Sequence, residues 1–261
     1  MRLSTAFRLK YFLPVAAVIT MAAPCLAQSA APPHRTVIRY TVKPDRMADF
    51  RAAFKEFAEL KKSNGSERYY TVWQSLTGLR QFVVVANRAN WAELDEGPDP
   101  KLNDKAGAAT AITDRIMQTV DSMERSLEDL QPDHSLALPS EIPAMASVVE
   151  IEVRPEHVDD FLALLKSTFL GAAKKAGLKT YLVHRTQFGG PRSKLTTVTG
   201  IDKWSDLDGT PPIVRAMGND GYQAFLKKAL PMLERSVQFD VYRHEKELSY
   251  PPPSRMMTSS K

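Results

Sequence analysis

One five-residue segment concentrates the side chains best suited to chemistry. In Tyr181-Leu182-Val183-His184-Arg185 a phenol, an imidazole and a guanidinium stand almost next to one another. An imidazole exchanges protons near neutrality, which makes His184 a candidate general acid or base. Arg185 is a candidate for holding an anion, and Tyr181 for hydrogen-bonding a ligand. The plainer reading of His184 is a polar strand residue, because the sequence offers no carboxylate partner for it. The other histidines, His34, His134, His157 and His244, are scattered with no pair at ligand spacing, so no metal site is expected. Metalloprotease, nucleophile-elbow, phosphate-loop and dinucleotide-binding patterns are all missing.

If this segment is a strand, alternation puts Tyr181, Val183 and Arg185 on one face and His184 on the other. The segment has a counterpart. Tyr70-Thr71-Val72-Trp73-Gln74 lies 111 residues earlier, and Thr36–Pro44 matches Ser147–Pro155 at the same offset of 111. Trp91, Leu94 and Asp95 recur as Trp204, Leu207 and Asp208, and Glu124-Arg125-Ser126 as Glu234-Arg235-Ser236. Landmarks in one order at nearly constant offset indicate two copies of one unit. In the second copy His184 and Arg185 replace Trp73 and Gln74. A pocket between sheet and helices would be lined by Tyr70, Tyr181 and Arg185, with Trp91 and Trp204 at the loops that cover it. The competing account makes both tyrosines core residues with hydroxyls satisfied at the rim, and both tryptophans structural wedges with Asp95 and Asp208 capping the next turn.

Each copy predicts strand, helix, strand, strand, helix, strand. Ile38, Tyr40 and Val42 alternate as in a strand, and Met47, Phe50, Phe54 and Phe57 follow at helical spacing. Thr77-Gly78-Leu79 and Gly189-Gly190-Pro191 mark hairpins. The second helices are expected over Asp104–Ser122 and Asp220–Leu233, and the closing strands over Ser126–Leu130 and Ser236–Arg243. This is the order of the ferredoxin-like βαββαβ unit. The fold class is therefore α+β, with one unit over 35–131, a linker over 132–144, a second unit over 145–248 and a disordered tail over 249–261. Phe82-Val83-Val84-Val85-Ala86 is apolar on both faces, so the second face of each sheet needs a cover. Two antiparallel sheets packed face to face, with helices outside, supply it.

The element order, the Trp-x-x-Leu-Asp landmark and the hydrophobic patterning resemble the dimeric α+β barrel superfamily. That superfamily includes cofactor-independent antibiotic-biosynthesis monooxygenase-like proteins and the NIPSNAP and EthD-like groups. The resemblance implies a dimer fused into one chain. It also implies a range of activities, among them haem handling, although the Asn, Trp and His set of haem-degrading members cannot be placed here.

The N-terminus carries Arg2, Arg8 and Lys10, an apolar stretch from Tyr11 to Ala23 and small residues up to Ala27, the pattern of a cleavable signal over 1–27. Lipidation of Cys25 competes with cleavage after Ala27, but Pro24 directly before the cysteine disfavours it. The interrupted apolar stretch is short of the ~20 residues of a membrane span. Cleavage takes the net charge of +5 down by three, to +2, and removes the only cysteine. A nearly neutral chain gives no electrostatic reason to bind nucleic acid, and no disulfide is available. The expectation is an exported protein, periplasmic or secreted, acting as a monomer with pseudo-dimeric halves or as a homodimer. Its first candidate function is binding a small apolar or aromatic ligand between sheet and helices. A cofactor-independent monooxygenase employing Tyr181, His184 and Arg185 is the alternative, and haem binding through His184 or His157 the third. No cofactor is called for by the first two.

Overall fold

The computed structural model describes residues 32–136, 138 and 141–253. The expected signal over 1–27 lies outside them, as does the chain beyond 253. The first half runs β1 (His34–Val42), α1 (Met47–Ser63), β2 (Thr71–Ser75), β3 (Gln81–Arg88), α2 (Ala106–Gln118) and β4 (Val120–Leu130). The second runs β5 (Met145–Glu152), α3 (Val158–Leu165) continued through a π turn into α4 (Gly171–Lys175), β6 (Tyr181–Phe188), β7 (Lys194–Ile201), α5 (Pro212–Ala229) and β8 (Gln238–His244). All eight strands close into one antiparallel barrel in the order β1-β3-β2-β8-β5-β7-β6-β4. The α+β, two-unit architecture is thus the one expected, with one addition. The two sheets are hydrogen-bonded to each other along both edges, through β2–β8 and β4–β6.

Each half buries an apolar layer between its sheet and its helices. Phe50, Phe54, Val72, Phe82 and Val84 form the first, and Phe161, Leu165, Val183, Leu195 and Phe225 the second. Burying each such side chain contributes roughly 1.5–3 kcal/mol. The helical spacing of α1 and the outward half of each strand alternation converge here. Where α1 ends, Lys61 is buried and reaches Asp99 Oδ2 at 2.7 Å and Ser66 Oγ at 3.1 Å, tying the helix to the loop that precedes α2.

The opposite faces meet inside the barrel. Val37, Val83 and Tyr242 pack there with Trp73 and Val148, so β3 is covered on both sides. The rest of the interior is largely polar and holds several charges. Arg39 and Glu150, which occupy equivalent positions in the two halves, face each other across it at 2.5 Å, and Lys194 meets Glu150 at 2.6 Å.

Several boundaries differ from the sequence expectations. Helix α2 is shorter than expected at both ends, stopping at Gln118 because Val120 already pairs with Val42, and α5 begins and ends earlier, starting at Pro212. Glu124-Arg125-Ser126 is not the counterpart of Glu234-Arg235-Ser236. Ser126 lies opposite Val37 and Asp240 opposite Val148, so strand register equates Ser126 with Asp240. The expected disordered tail begins later than 249: Ser249 is buried and Tyr250 exchanges both backbone hydrogen bonds with Tyr70, at 2.8 and 2.9 Å. The segment after β8 runs along β2, just as the segment after β4 runs along β6, where Gln131 N–H donates to the Val183 carbonyl and Leu136 N–H to the Tyr181 carbonyl.

Candidate functional site

Strand β6 places Tyr181 and Arg185 toward the helices and His184 into the barrel. The Tyr181 ring is 1 % exposed within the packed second-half layer. Its hydroxyl is buried without a hydrogen-bond partner, as is that of Tyr70. Burial pushes both phenols well above their usual range, with Tyr40 adding to the effect at Tyr70. The tyrosines are core residues, and the expected satisfaction of their hydroxyls at a rim is corrected: the hydroxyls end inside the layer. Arg185 donates from Nε to the Arg192 carbonyl at 2.9 Å and lies 3.9 Å from Asp159, so it braces its own hairpin.

His184 stands opposite Thr196 on β7 and Leu130 on β4. It does face a carboxylate, which the sequence did not reveal. Glu128 lies on the same interior surface, gripped by Arg35 through Nε at 3.0 Å and Nη2 at 2.6 Å, and by the Ser126 hydroxyl at 3.0 Å. Burial, the largest single influence, raises the Glu128 carboxyl, but the charge and hydrogen bonds of Arg35, joined by His184 and Arg39, together outweigh it and hold the carboxyl down at about 2. Burial, reinforced by Arg35 and opposed by Glu128, pushes the His184 imidazole well below its usual range. His184 is therefore neutral, 5 % exposed and unpartnered at Nδ1, beside an equally unpartnered Thr196 hydroxyl. It lies on the opposite face of β6 from Tyr181 and Arg185, so the structure does not bring the three together.

The tryptophans have unequal surroundings. Trp91 packs at a tilt against His34 with centroids 4.2 Å apart and meets the edge of Phe188, from the other half, at 6.4 Å. Trp204 is half exposed. The turns that they begin are capped by Asn90 in one half and by Asp206 in the other. Asp95 and Asp208 sit at the C-terminal ends of those turns, and the next turn is capped by Asp99 in one half while Pro211 precedes α5 in the other, which corrects their expected role in capping the next turn. His157 is on the surface at the start of α3, 3.8 Å from Asp160. Among the described residues no group of three or more metal-ligating side chains is gathered.

An open groove of about 580 Å³ lies elsewhere, between α5, the turn after it and the start of β8. Tyr222, Leu226, Leu230, Leu233, Val237 and Phe239 form its walls, with Glu234, Arg235 and Ser236 beside them. A break in strand pairing creates it. Val153 lies opposite Leu233 and Glu150 opposite Gln238, so five steps along one strand match three along the other and the surplus bulges outward. Phe239 is 68 % exposed and Leu230 60 %, large apolar surfaces turned to solvent inside a concavity. None of Tyr70, Tyr181, His184, Arg185, Trp91 or Trp204 lines it. The available signal was the apolar alternation of Val237, just before β8, with Phe239 and Val241 on its outward positions, against inward Gln238, Asp240 and Tyr242.

No protein-family model matches the chain. No curated protein matches it either. Solved structures do. A presumed monooxygenase from Fusobacterium nucleatum superimposes with a TM-score of 0.57 at 13% identity, over 82% of this chain and 93% of that one. A second presumed monooxygenase, from Lactobacillus acidophilus, gives 0.57 at 6% identity over 82% and 94%. An anthrone oxidase-like protein gives 0.57 at 12% identity over 84% and 93%. At these identities the likeness is one of fold, the dimeric α+β barrel that the sequence pattern resembles. No helix among the described residues is long and apolar enough to cross a membrane.

Proposed function

We propose that this is an exported, internally duplicated barrel whose second half binds a small apolar or aromatic ligand in the groove between α5 and β8. The observation that carries the reading is the groove itself, with Phe239 and Leu230 exposed in a cleft of about 580 Å³. That volume is of the size that encloses a small organic molecule. Export rests on the basic and then apolar N-terminus; the mature protein recovered from outside the cytoplasm should begin at Gln28. Duplication rests on the offset of 111 shared by β1 with β5 and β2 with β6.

Binding is tested with N-phenyl-1-naphthylamine, a neutral aromatic that fluoresces when it leaves water. Covering either wall side chain contributes about 1.5 kcal/mol or more, so replacing both Phe239 and Leu230 by Ser weakens binding at least tenfold. Tyr181→Phe leaves it unchanged. Binding that survives the double replacement refutes the reading. The alternative, oxidation of such a ligand without a cofactor, is supported by likeness of fold to presumed monooxygenases. Any such chemistry would take place at the groove rather than at Tyr181, His184 and Arg185, which share no cleft.

A further inference from the structure

We propose that the first half carries a second ligand site, equivalent in position to the groove but built for an organic anion, on the strip formed by Met117, Met123, Arg125 and Phe188.

Large apolar side chains are exposed at only a few positions among the described residues, and their distribution is not random. Apart from Leu79 and Trp204, they fall on two places: Leu230 and Phe239 on the groove, and Met117, Met123 and Phe188 on the end of α2, on β4 and on the β6 residue paired with Leu127 of β4. The internal correspondence relates the two. Met117 stands 113 residues before Leu230, the offset that also relates Trp91 to Trp204. Arg125 lies opposite Ile38, as Phe239 lies opposite Val149, and Ile38 and Val149 are equivalent. In both places the hairpin of the other half leans on the last strand. Gly78 abuts the Asp240 carboxylate beside Phe239. Gly189 abuts the Arg125 backbone so closely that a Cβ there would stand 3.0 Å from Ser126 Cα, which brings the neighbouring Phe188 over the strip.

What differs is the charge. Where the second half has Phe239 and Ile201, the first has Arg125 and Arg88. Arg88 is answered by Glu93 at 3.6 Å and donates to the Thr36 hydroxyl at 2.9 Å. Arg125 has no carboxylate partner among the described residues, and its charge is felt at Arg88. Glu124 alternates to the opposite face of β4. Two guanidinium groups thus stand against one carboxylate beside an exposed surface of two methionines and a phenylalanine. Arg binds carboxylate or sulfonate through paired N–H groups, and Met surfaces adapt to varied apolar shapes. A ligand with a flat or short apolar body and one acidic group satisfies both.

The test compares 1-anilinonaphthalene-8-sulfonate with N-phenyl-1-naphthylamine, the same aromatic body without the sulfonate. It is run in the Phe239→Ser/Leu230→Ser background, which isolates the strip from the groove and whose fold is checked by far-UV circular dichroism. The sulfonate binds this background, and Arg125→Gln weakens it about tenfold while Arg125→Lys restores part of the loss. Raising salt from low to high weakens the sulfonate only when Arg125 is present. Met123→Ser weakens it as well. Sulfonate affinity that is the same with Gln at 125, or that is absent from the background, overturns the proposal. The groove reading fails on a different observation, the indifference of the neutral probe to Phe239 and Leu230 in the otherwise wild-type protein.

Discussion

Glu128→Gln should destabilise the barrel by roughly 3 kcal/mol at neutral pH. Glu128 is 1 % exposed, and Arg35, its partner, 9 %. The fall of the carboxyl from 4.5 to about 2 corresponds to roughly 3 kcal/mol of stabilisation of its charged form. Removing one member of a buried ion pair costs about 3–5 kcal/mol, which agrees. Gln keeps the volume but leaves the Arg35 guanidinium buried without a counter-charge. Because the folded-state value lies below the unfolded one, the stabilisation is complete above about 4.5 and fades as pH falls toward 2. The gap between variant and wild type is therefore constant from pH 8 to pH 5 and narrows only below that. Urea unfolding followed by far-UV circular dichroism at pH 8, 6.5, 5 and 4 measures it. The double variant Arg35→Met/Glu128→Leu, which replaces the pair by apolar groups of similar size, should fall within about 1 kcal/mol of wild type. A Glu128→Gln loss below about 0.5 kcal/mol at pH 7, or a gap that already closes between pH 8 and 6, would refute the account of the interior.

Two histidines also weaken the fold as pH falls, but over a higher window. His184, buried at the β4–β6 junction, and His244, half-buried at the β2–β8 junction with its ring 5.0 Å from that of Trp73, are held neutral by burial, His244 down to about 4. Their unfolded-state value is near 6.5, so stability is complete above that pH and declines as pH drops from 6.5 toward the folded-state values. His184→Gln and His244→Gln should each flatten the fall of the urea midpoint between pH 6.5 and 4.5, and unchanged slopes would count against both assignments. Tyr181→Phe removes a hydroxyl that has no partner and should leave stability unchanged or raise it by up to about 1 kcal/mol. A loss above about 1.5 kcal/mol would mean that the hydroxyl is engaged. Gly189 has φ of 79° and a backbone oxygen where its Cβ would go, whereas Gly177 has φ of 68° and open space. Gly189→Ala should therefore cost about 2 kcal/mol or more in urea unfolding, against about 1 kcal/mol for Gly177→Ala. Equal losses would show that the hairpin yields.

The sequence carried most of the architecture because the outward faces obey simple periodicity. Ile38, Tyr40 and Val42 alternate, Phe50, Phe54 and Phe57 recur at helical spacing, and the doubly apolar Phe82–Ala86 required a cover on both sides. The charged interior was hidden because Arg35, Arg39, Glu128 and Glu150 occupy strand positions that ordinarily face solvent. Only closure of the sheet turns them inward. One clue was present: Arg39 and Glu150 are equivalent positions with opposite charge, as a pair meeting near a pseudo-twofold axis would be. The groove was hidden for a different reason. It arises from a local slip in pairing between Leu233 and Gln238, and the spurious match of Glu234-Arg235-Ser236 with Glu124-Arg125-Ser126 disguised the surplus residues that cause it.

The reciprocal segments after β4 and β8 bear on how the protein holds together as a molecule. Residues 131–136 clasp β6 and residues 245–250 clasp β2, so each half grips the other beyond the barrel ladders. A chain cut between 136 and 145 leaves both clasps intact and yields two polypeptides that remain associated, with a melting temperature that rises with concentration. A cut before 131 removes one clasp from its own half and separates the pieces at far higher concentration. The connection between the halves thus sets their effective concentration, while the grip between them comes from the arms on either side of it.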